Sequence, residues 1–182
     1  MTEPQTPSFA DAYRLLSRME ESGATRRGYF VTGLGGAQFA TPGAVDRLRT
    51  APAAPMRLLA ACDPVNPYGA ALEWPATNGH RPARKAGALV VLDDAKPVCY
   101  VERGARTLLT FTSTDRPRLA EALRGIGAAV DAGQIGRLTI DKIDGSPALQ
   151  ADIGDELNAA GFVMVPRGYT RRRRTPGSNR QE

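Results

Sequence analysis

Cys62, Cys99 and His80 are the only cysteines and the only histidine of this chain. A structural zinc site takes about four such ligands, so no metal centre is expected. Two cysteines set in apolar or strand-like segments point to a reduced compartment and not to a disulfide framework. No apolar run approaches the roughly 18 residues of a membrane span. The opening residues, Met1 to Pro7, have neither the basic start nor the apolar stretch of a secretion signal. There is no Gly-x-x-x-x-Gly-Lys-[Ser/Thr] phosphate loop and no Asp-Glu-x-His box, which excludes ATP hydrolysis by this chain. These absences describe a cytoplasmic, metal-free protein with no membrane partner.

Lysine is scarce too. Only Lys85, Lys96 and Lys142 accompany the arginines, and the net charge is +5. That charge is not spread evenly. Residues 1 to 166 carry 18 basic and 18 acidic side chains, whereas the segment from Arg167 onward sets six arginines against Glu182 alone. The run Arg171-Arg172-Arg173-Arg174 followed by Thr175-Pro176-Gly177-Ser178 reads as a disordered basic tail over 169–182. Arginine suits bidentate phosphate contacts, although a GC-rich genome explains the same preference.

The remaining chain is patterned. Ser8 to Ser22 is an amphipathic helix with an apolar line Phe9, Tyr13, Leu16 and Met19, and with Arg14 and Arg18 opposite it. It runs into Arg26-Arg27-Gly28-Tyr29-Phe30-Val31, a glycine turn at Gly33 to Gly36, and a second strand Ala37 to Ala40. Helix followed by basic hairpin is the order of a recognition helix and its wing. The helices that should come first are missing from the pattern, so 1–50 reads as the C-terminal part of a winged helix within something larger. On the wing, Tyr29 and Phe30 alternate sides, so one aromatic is expected in a core while the other could stack on a base. Pro42 to Arg49 reads as a short helix and 51–55 as a linker.

A second unit is expected over 56–168. Ala88-Leu89-Val90-Val91-Leu92 suits a strand buried on both faces, and Pro97 to Glu102 and Arg106 to Phe111 complete a meander. Thr114 is the expected cap of a helix carrying Leu119, Leu123, Ile126 and Val130. Gly136 to Ile143 alternates as a strand. Ser146-Pro147 is expected to open a second helix whose core positions are Leu149, Ile153 and Leu157. Phe162 to Val165 is a last strand. The fold class is therefore α+β: a partial winged helix (helix plus β-hairpin wing), then a mixed module of meander strands with two packed helices.

Several of these pieces resemble the C-terminal region of the large helicase-related proteins called Lhr, superfamily-2 DNA-repair helicases. They are Arg27 to Val31, Gly36 to Ala40, Pro42 to Leu48, and Asp63-Pro64 to Leu72 with Trp74-Pro75. Arg84 to Ala88 and Tyr100 to Gly104 complete the set, all in collinear order between Phe9 and Tyr169. The resemblance implies a parent that holds the ATP and Mg sites elsewhere, with no cofactor in this chain. It also implies DNA (single-stranded or duplex), the rest of the helicase and a further copy of itself as partners, and a nucleoid-associated location. It makes the second unit a mixed β-barrel-like module with two packed helices. That region of the family resembles AlkZ-type glycosylases, but no Gln-x-Gln pair is present here.

The implied task is DNA binding or assembly of the parent repair enzyme. The alternatives are a uracil-glycosylase-like excision activity, for which Asp63 and Glu102 are the candidate catalytic carboxylates, and a purely structural oligomerisation module. The candidate nucleic-acid contacts are Arg14, Arg18, Arg26 and Arg27 on helix and wing. In the second unit they are Trp74, Arg81, Arg84, Lys85, Arg103 and Arg106, an aromatic platform beside cations, followed by Arg171, Arg172, Arg173 and Arg174.

Overall fold

The structure is a computed structural model that describes residues 8–173. Expectations about Met1 to Pro7, and about Arg174 and beyond, lie outside the described residues. The chain divides into two compact units, Met1–Ala53 and Ala54–Glu182, and the division falls within the proline-alanine segment 51–55.

In the first unit, helix α1 (Phe9–Glu21) is capped by Ser8, whose side chain accepts a hydrogen bond from the Asp11 amide. Strands β1 (Arg26–Gly28) and β2 (Gln38–Ala40) form the antiparallel hairpin, and helix α2 (Pro42–Thr50) starts with proline in its first turn. The hairpin is tied to α1 by Thr25, a buried residue whose hydroxyl donates to the Leu16 carbonyl. Among the described residues of this unit only Thr25 and Val45 are buried, and no residue of α1 is. Phe9, Tyr13 and Leu15 remain exposed.

The second unit is built on a six-stranded sheet. Its strands are β3 (Arg57–Ala60), β4 (Leu89–Asp93), β5 (Lys96–Val101), β6 (Thr107–Thr110), β8 (Lys142–Ile143) and β9 (Ser146–Pro147), hydrogen-bonded in that order. The β4-β5-β6 meander is antiparallel, while β6 and β8 run parallel. A second sheet has the order β10 (Val163–Val165), β11 (Gly168–Arg171), β7 (Leu138–Ile140). Helix α3 (Arg116–Asp131) packs against the main sheet, and the short α4 (Gly154–Ala159) packs against α3 and β10.

The apolar run at β4 is explained by two cores, one on each face of the sheet. Val91, Cys99, Val101 and Leu108 point toward α3 and α4, where Leu119, Leu123, Ile126, Val130 and Leu157 meet them. Val90, Leu92, Tyr100 and Leu109 point the other way, toward Trp74 and Phe111, with Tyr68 packed against them. A strand buried on both sides has no polar face to alternate with. Burial pushes the Cys99 thiol up to about 12, with the Asp144 charge adding to it, so it behaves as a small apolar group.

The structure corrects several expectations. The main sheet is open, with β3 and β9 as its edges, and no closed barrel is formed among the described residues. Asp115, not Thr114, caps α3; the Thr114 hydroxyl donates to the Val98 carbonyl instead. The alternating stretch Gly136 to Ile143 is split between two sheets. Its apolar period slips at Asp141-Lys142, where both amides donate to the Arg106 carbonyl.

Ser146-Pro147 opens no α-helix; it forms β9 and is followed by a single 3-10 turn, Ala148–Gln150. Asp144 (φ 51°) and Gly145 (φ 88°) form a two-residue hairpin turn, and Ser146 pairs with Ile143. An Asp-Gly pair adopts this left-handed geometry readily, and that local signal outweighs the Ser-Pro helix start. Leu149, expected in the core, is exposed. Tyr169 to Arg171, expected in the tail, form the central strand of the second sheet.

Candidate nucleic-acid interface

In the first unit the two wing arginines have different fates. Arg27 lies 2.8 Å from Glu20 and sits over the Tyr13 and Phe39 rings, at 5.6 Å and 5.1 Å from their centroids. It serves to hold the hairpin on α1. Arg26 is exposed, and like Arg18 it makes no ion pair among the described residues. Arg14 reaches Asp11 at 3.6 Å, an exposed pair one helical turn apart and worth little.

The wing loop is fixed by one side chain. The Gln38 carbonyl oxygen accepts from the Phe30 and Val31 amides, both at 2.8 Å. Its amide nitrogen donates to the Val31 and Leu34 carbonyls at 3.1 and 2.9 Å. Phe30 turns inward, its ring so close over Gly28 that a Cβ there would meet it at 2.8 Å. Tyr29 turns outward and is 90% exposed. Nothing in the local pattern singles out Gln38; its role depends on where the loop returns.

In the second unit the aromatic platform is not available. Trp74 is buried, stacked with Tyr68 at 5.6 Å and Phe111 at 6.2 Å and edge-on to Tyr100 at 5.7 Å. Arg84 is also structural. Its guanidinium donates to the carbonyls of Asn66 (2.5 Å), Asp63 (3.0 Å) and Cys62 (3.3 Å), closing the irregular loop beside the aromatic cluster. Both were expected to meet nucleic acid; the carbonyls and rings that occupy them come from other parts of the chain.

Arg106 pairs with Asp141, and Arg81 reaches Glu73 in an exposed pair at 3.7 Å. Lys85 and Arg103 stay exposed without an ion pair within 4.0 Å among the described residues. At the tail, Arg171 is only 12% exposed by side chain. It pairs with Asp131 and donates to the Gly161 carbonyl at 2.5 Å. Arg172 and Arg173 are exposed, and Arg174 lies outside the described residues.

Of the two candidate carboxylates, Asp63 accepts from the Val65 amide at 2.8 Å, an ordinary turn contact. Glu102 has a more reactive neighbourhood, with His80 Nε2 at 2.7 Å. Burial would raise the Glu102 carboxyl. Hydrogen bonds from His80 and Thr107, then the charges of His80 and Lys85, outweigh it and hold the group below its ordinary 4.5. A depressed folded value stabilises the fold above 4.5, and that contribution is lost as pH falls through the folded value. His80→Ala is therefore expected to cost about 0.5 kcal/mol near neutral pH, a screened surface pair. Urea midpoints should converge with wild type as pH falls through the lowered folded value of Glu102, where the carboxyl becomes protonated.

One network was not expected from the sequence, where its local signal is the Asp144-Gly145 pair. Asp144 accepts from the Thr110 amide (2.7 Å) and hydroxyl (2.6 Å), and Asn78 donates to the same hydroxyl at 2.9 Å. The three residues line an open cleft of about 370 Å³ and lock the β8-β9 turn to β6. No group of three or more His, Cys, Asp or Glu side chains among the described residues is placed to hold a metal ion. No helix there is long and apolar enough to cross a membrane.

The first unit is thus a helix with an arginine-bearing hairpin, and the second is a mixed α+β unit. Residues 1–58 match the family model described as the large helicase-related protein, winged-helix domain. The chain is 44% identical over 176 residues to a Mycolicibacterium smegmatis protein named Lhr helicase/probable uracil glycosylase, covering 88% of this chain and 12% of that one. It is 34% identical over 169 residues to the Escherichia coli Lhr helicase/uracil glycosylase, covering 88% and 11%. These matches bear out the resemblance of the motifs: the chain is a C-terminal Lhr-type region. It spans about one eighth of the length of these curated relatives.

Proposed function

We propose that this chain is a DNA-binding accessory region of an Lhr-type repair helicase, supplying contacts and assembly surface while ATP and Mg are handled by the motor domains of the parent. The observation that carries this reading is the winged-helix match over residues 1–58, in which Arg18 and Arg26 face solvent without ion-pair partners among the described residues. In the second unit, Lys85, Arg103, Arg172 and Arg173 are further exposed cations without an ion pair among the described residues. The exposed apolar face of α1, with Phe9 and Tyr13, suits the remainder of the helicase as a protein partner. The nucleoid is the location that follows from this reading.

Fluorescence anisotropy of labelled single-stranded and duplex oligonucleotides over a salt series tests it. Binding should weaken linearly in log salt. Arg18→Ala with Arg26→Ala should flatten the slope by about two, and removal of Arg172 to Arg174 by up to about three. Tight self-association with no salt-dependent retention would favour the oligomerisation reading instead.

The printed names of the relatives favour one second reading, excision of uracil. In it Glu102, paired with His80, is the carboxylate best placed to activate water, and Asp63 the less favoured one. Abasic sites formed on uracil-containing strands and lost in Glu102→Gln would support it.

A further inference from the structure

We propose that Tyr29 is a stacking platform for an unpaired nucleobase, and that Gln38 is the positioning residue that holds it out. The inference rests on the DNA-binding reading above and assigns to the wing the recognition of single-stranded character.

Three observations meet at this loop. First, Tyr29 is 90% exposed although it is large and aromatic, so it contributes almost nothing to the fold by burial. Second, the loop that carries it is held rigid. Four hydrogen bonds from the Gln38 amide fix the backbone of Phe30, Val31 and Leu34, and the Phe30 ring is packed over Gly28. Holding an exposed ring in advance lowers the entropy lost when a ligand is met. Third, the loop's chemistry suits a base better than a protein surface. Val31 is the one large apolar neighbour exposed, at 42%; Thr32, Gly33, Gly35 and Gly36 are exposed beside it and add little apolar area, whereas Arg26, three residues before Tyr29, is a cation without an ion pair among the described residues. A phenol face with a neighbouring guanidinium matches a base and its phosphate.

Every base has a π-face, so the platform would read strand state and not sequence. A base inside a duplex stack is already covered, so Tyr29 should discriminate single strands, overhangs and junctions from blunt duplex.

The test uses the full chain. Tyr29→Ala should lose about tenfold in affinity for a single-stranded oligonucleotide and keep its affinity for a blunt duplex, with Tyr29→Phe retaining both. Tyr29→Trp adds a second indole to a chain whose only native tryptophan, Trp74, is buried. Its solvent-exposed emission should be quenched by single strands. Gln38→Leu should speed hydrogen exchange at the Phe30 and Val31 amides and weaken single-strand binding with Tyr29 still in place.

Equal binding by Tyr29→Ala and wild type, or an equal loss on duplex and single strand, overturns the stacking role. So does a Tyr29→Ala effect confined to self-association. Faster exchange in Gln38→Leu with unchanged single-strand affinity overturns the positioning role. If the wild-type chain binds no oligonucleotide at all, the DNA-binding reading itself has failed, an outcome distinct from a wild type that binds and a Tyr29 variant that matches it.

Discussion

Replacing Trp74 by alanine is expected to destabilise the Ala54–Glu182 unit by about 3–5 kcal/mol, the usual cost of removing a large buried aromatic. Trp74 is 8% exposed and stands among Tyr68, Tyr100 and Phe111, on the sheet face that carries no helix in its core cluster. That face is closed by the irregular chain between β3 and β4, which has no helix or strand of its own to make up the loss. The close packing extends to Gly69, where a Cβ would come within 2.5 Å of the indole nitrogen. Trp74→Phe keeps most of the ring contact and removes an indole N–H that has no acceptor, so it should cost much less. Denaturant unfolding followed by circular dichroism separates the cases. A stable, fully folded Trp74→Ala would contradict the core role and return the side chain to the list of possible base platforms.

Arg171→Ala is expected to cost about 2–4 kcal/mol, because it strands two partners. The Asp131 carboxylate would lose its cation, and its second oxygen is already buried without a partner. The Gly161 carbonyl would lose a 2.5 Å hydrogen bond. The contact joins the end of α3, the turn after α4 and strand β11, so its loss loosens the second sheet from the helices. A fall in melting temperature of roughly 10 °C should follow. At temperatures where the variant stays folded, the salt slope of DNA binding should not change, since this arginine is already neutralised. A variant with wild-type stability and a flatter slope would place Arg171 with the DNA-facing tail after all.

Both residues show how far local reading carries. A tryptophan in a turn-rich stretch beside Arg81, Arg84 and Lys85 has the composition of a nucleic-acid platform, and an arginine run before Thr-Pro-Gly-Ser has that of a solvated tail. Neither pattern contains the partners that decide the matter. Tyr100 and Phe111 come 26 and 37 residues after Trp74, and Asp131 comes 40 before Arg171. The barrel expectation failed for a related reason. The meander was plain, but whether a sheet closes depends on which strands become its edges, and the β8-β9 hairpin turned on an Asp-Gly pair whose Ser-Pro neighbour looked like a helix start.

The amino-acid order alone determined the helix from Phe9 with its Ser8 cap, the basic hairpin, the 51–55 break, the doubly buried strand at Leu89 and the Lhr kinship. The local elements are each encoded by period, cap or turn residues within a few positions of one another, whereas the kinship rests on collinear motifs between Phe9 and Tyr169. The tertiary structure decided which aromatics and arginines face inward. Tyr29 projects while Phe30 folds back, Arg26 is exposed without an ion pair among the described residues while Arg27 is held, and Arg84 and Arg171 bind carbonyls and a carboxylate of their own unit. Facing is set by contacts between segments distant in sequence, where burial and pairing energies outweigh any preference a side chain has by itself.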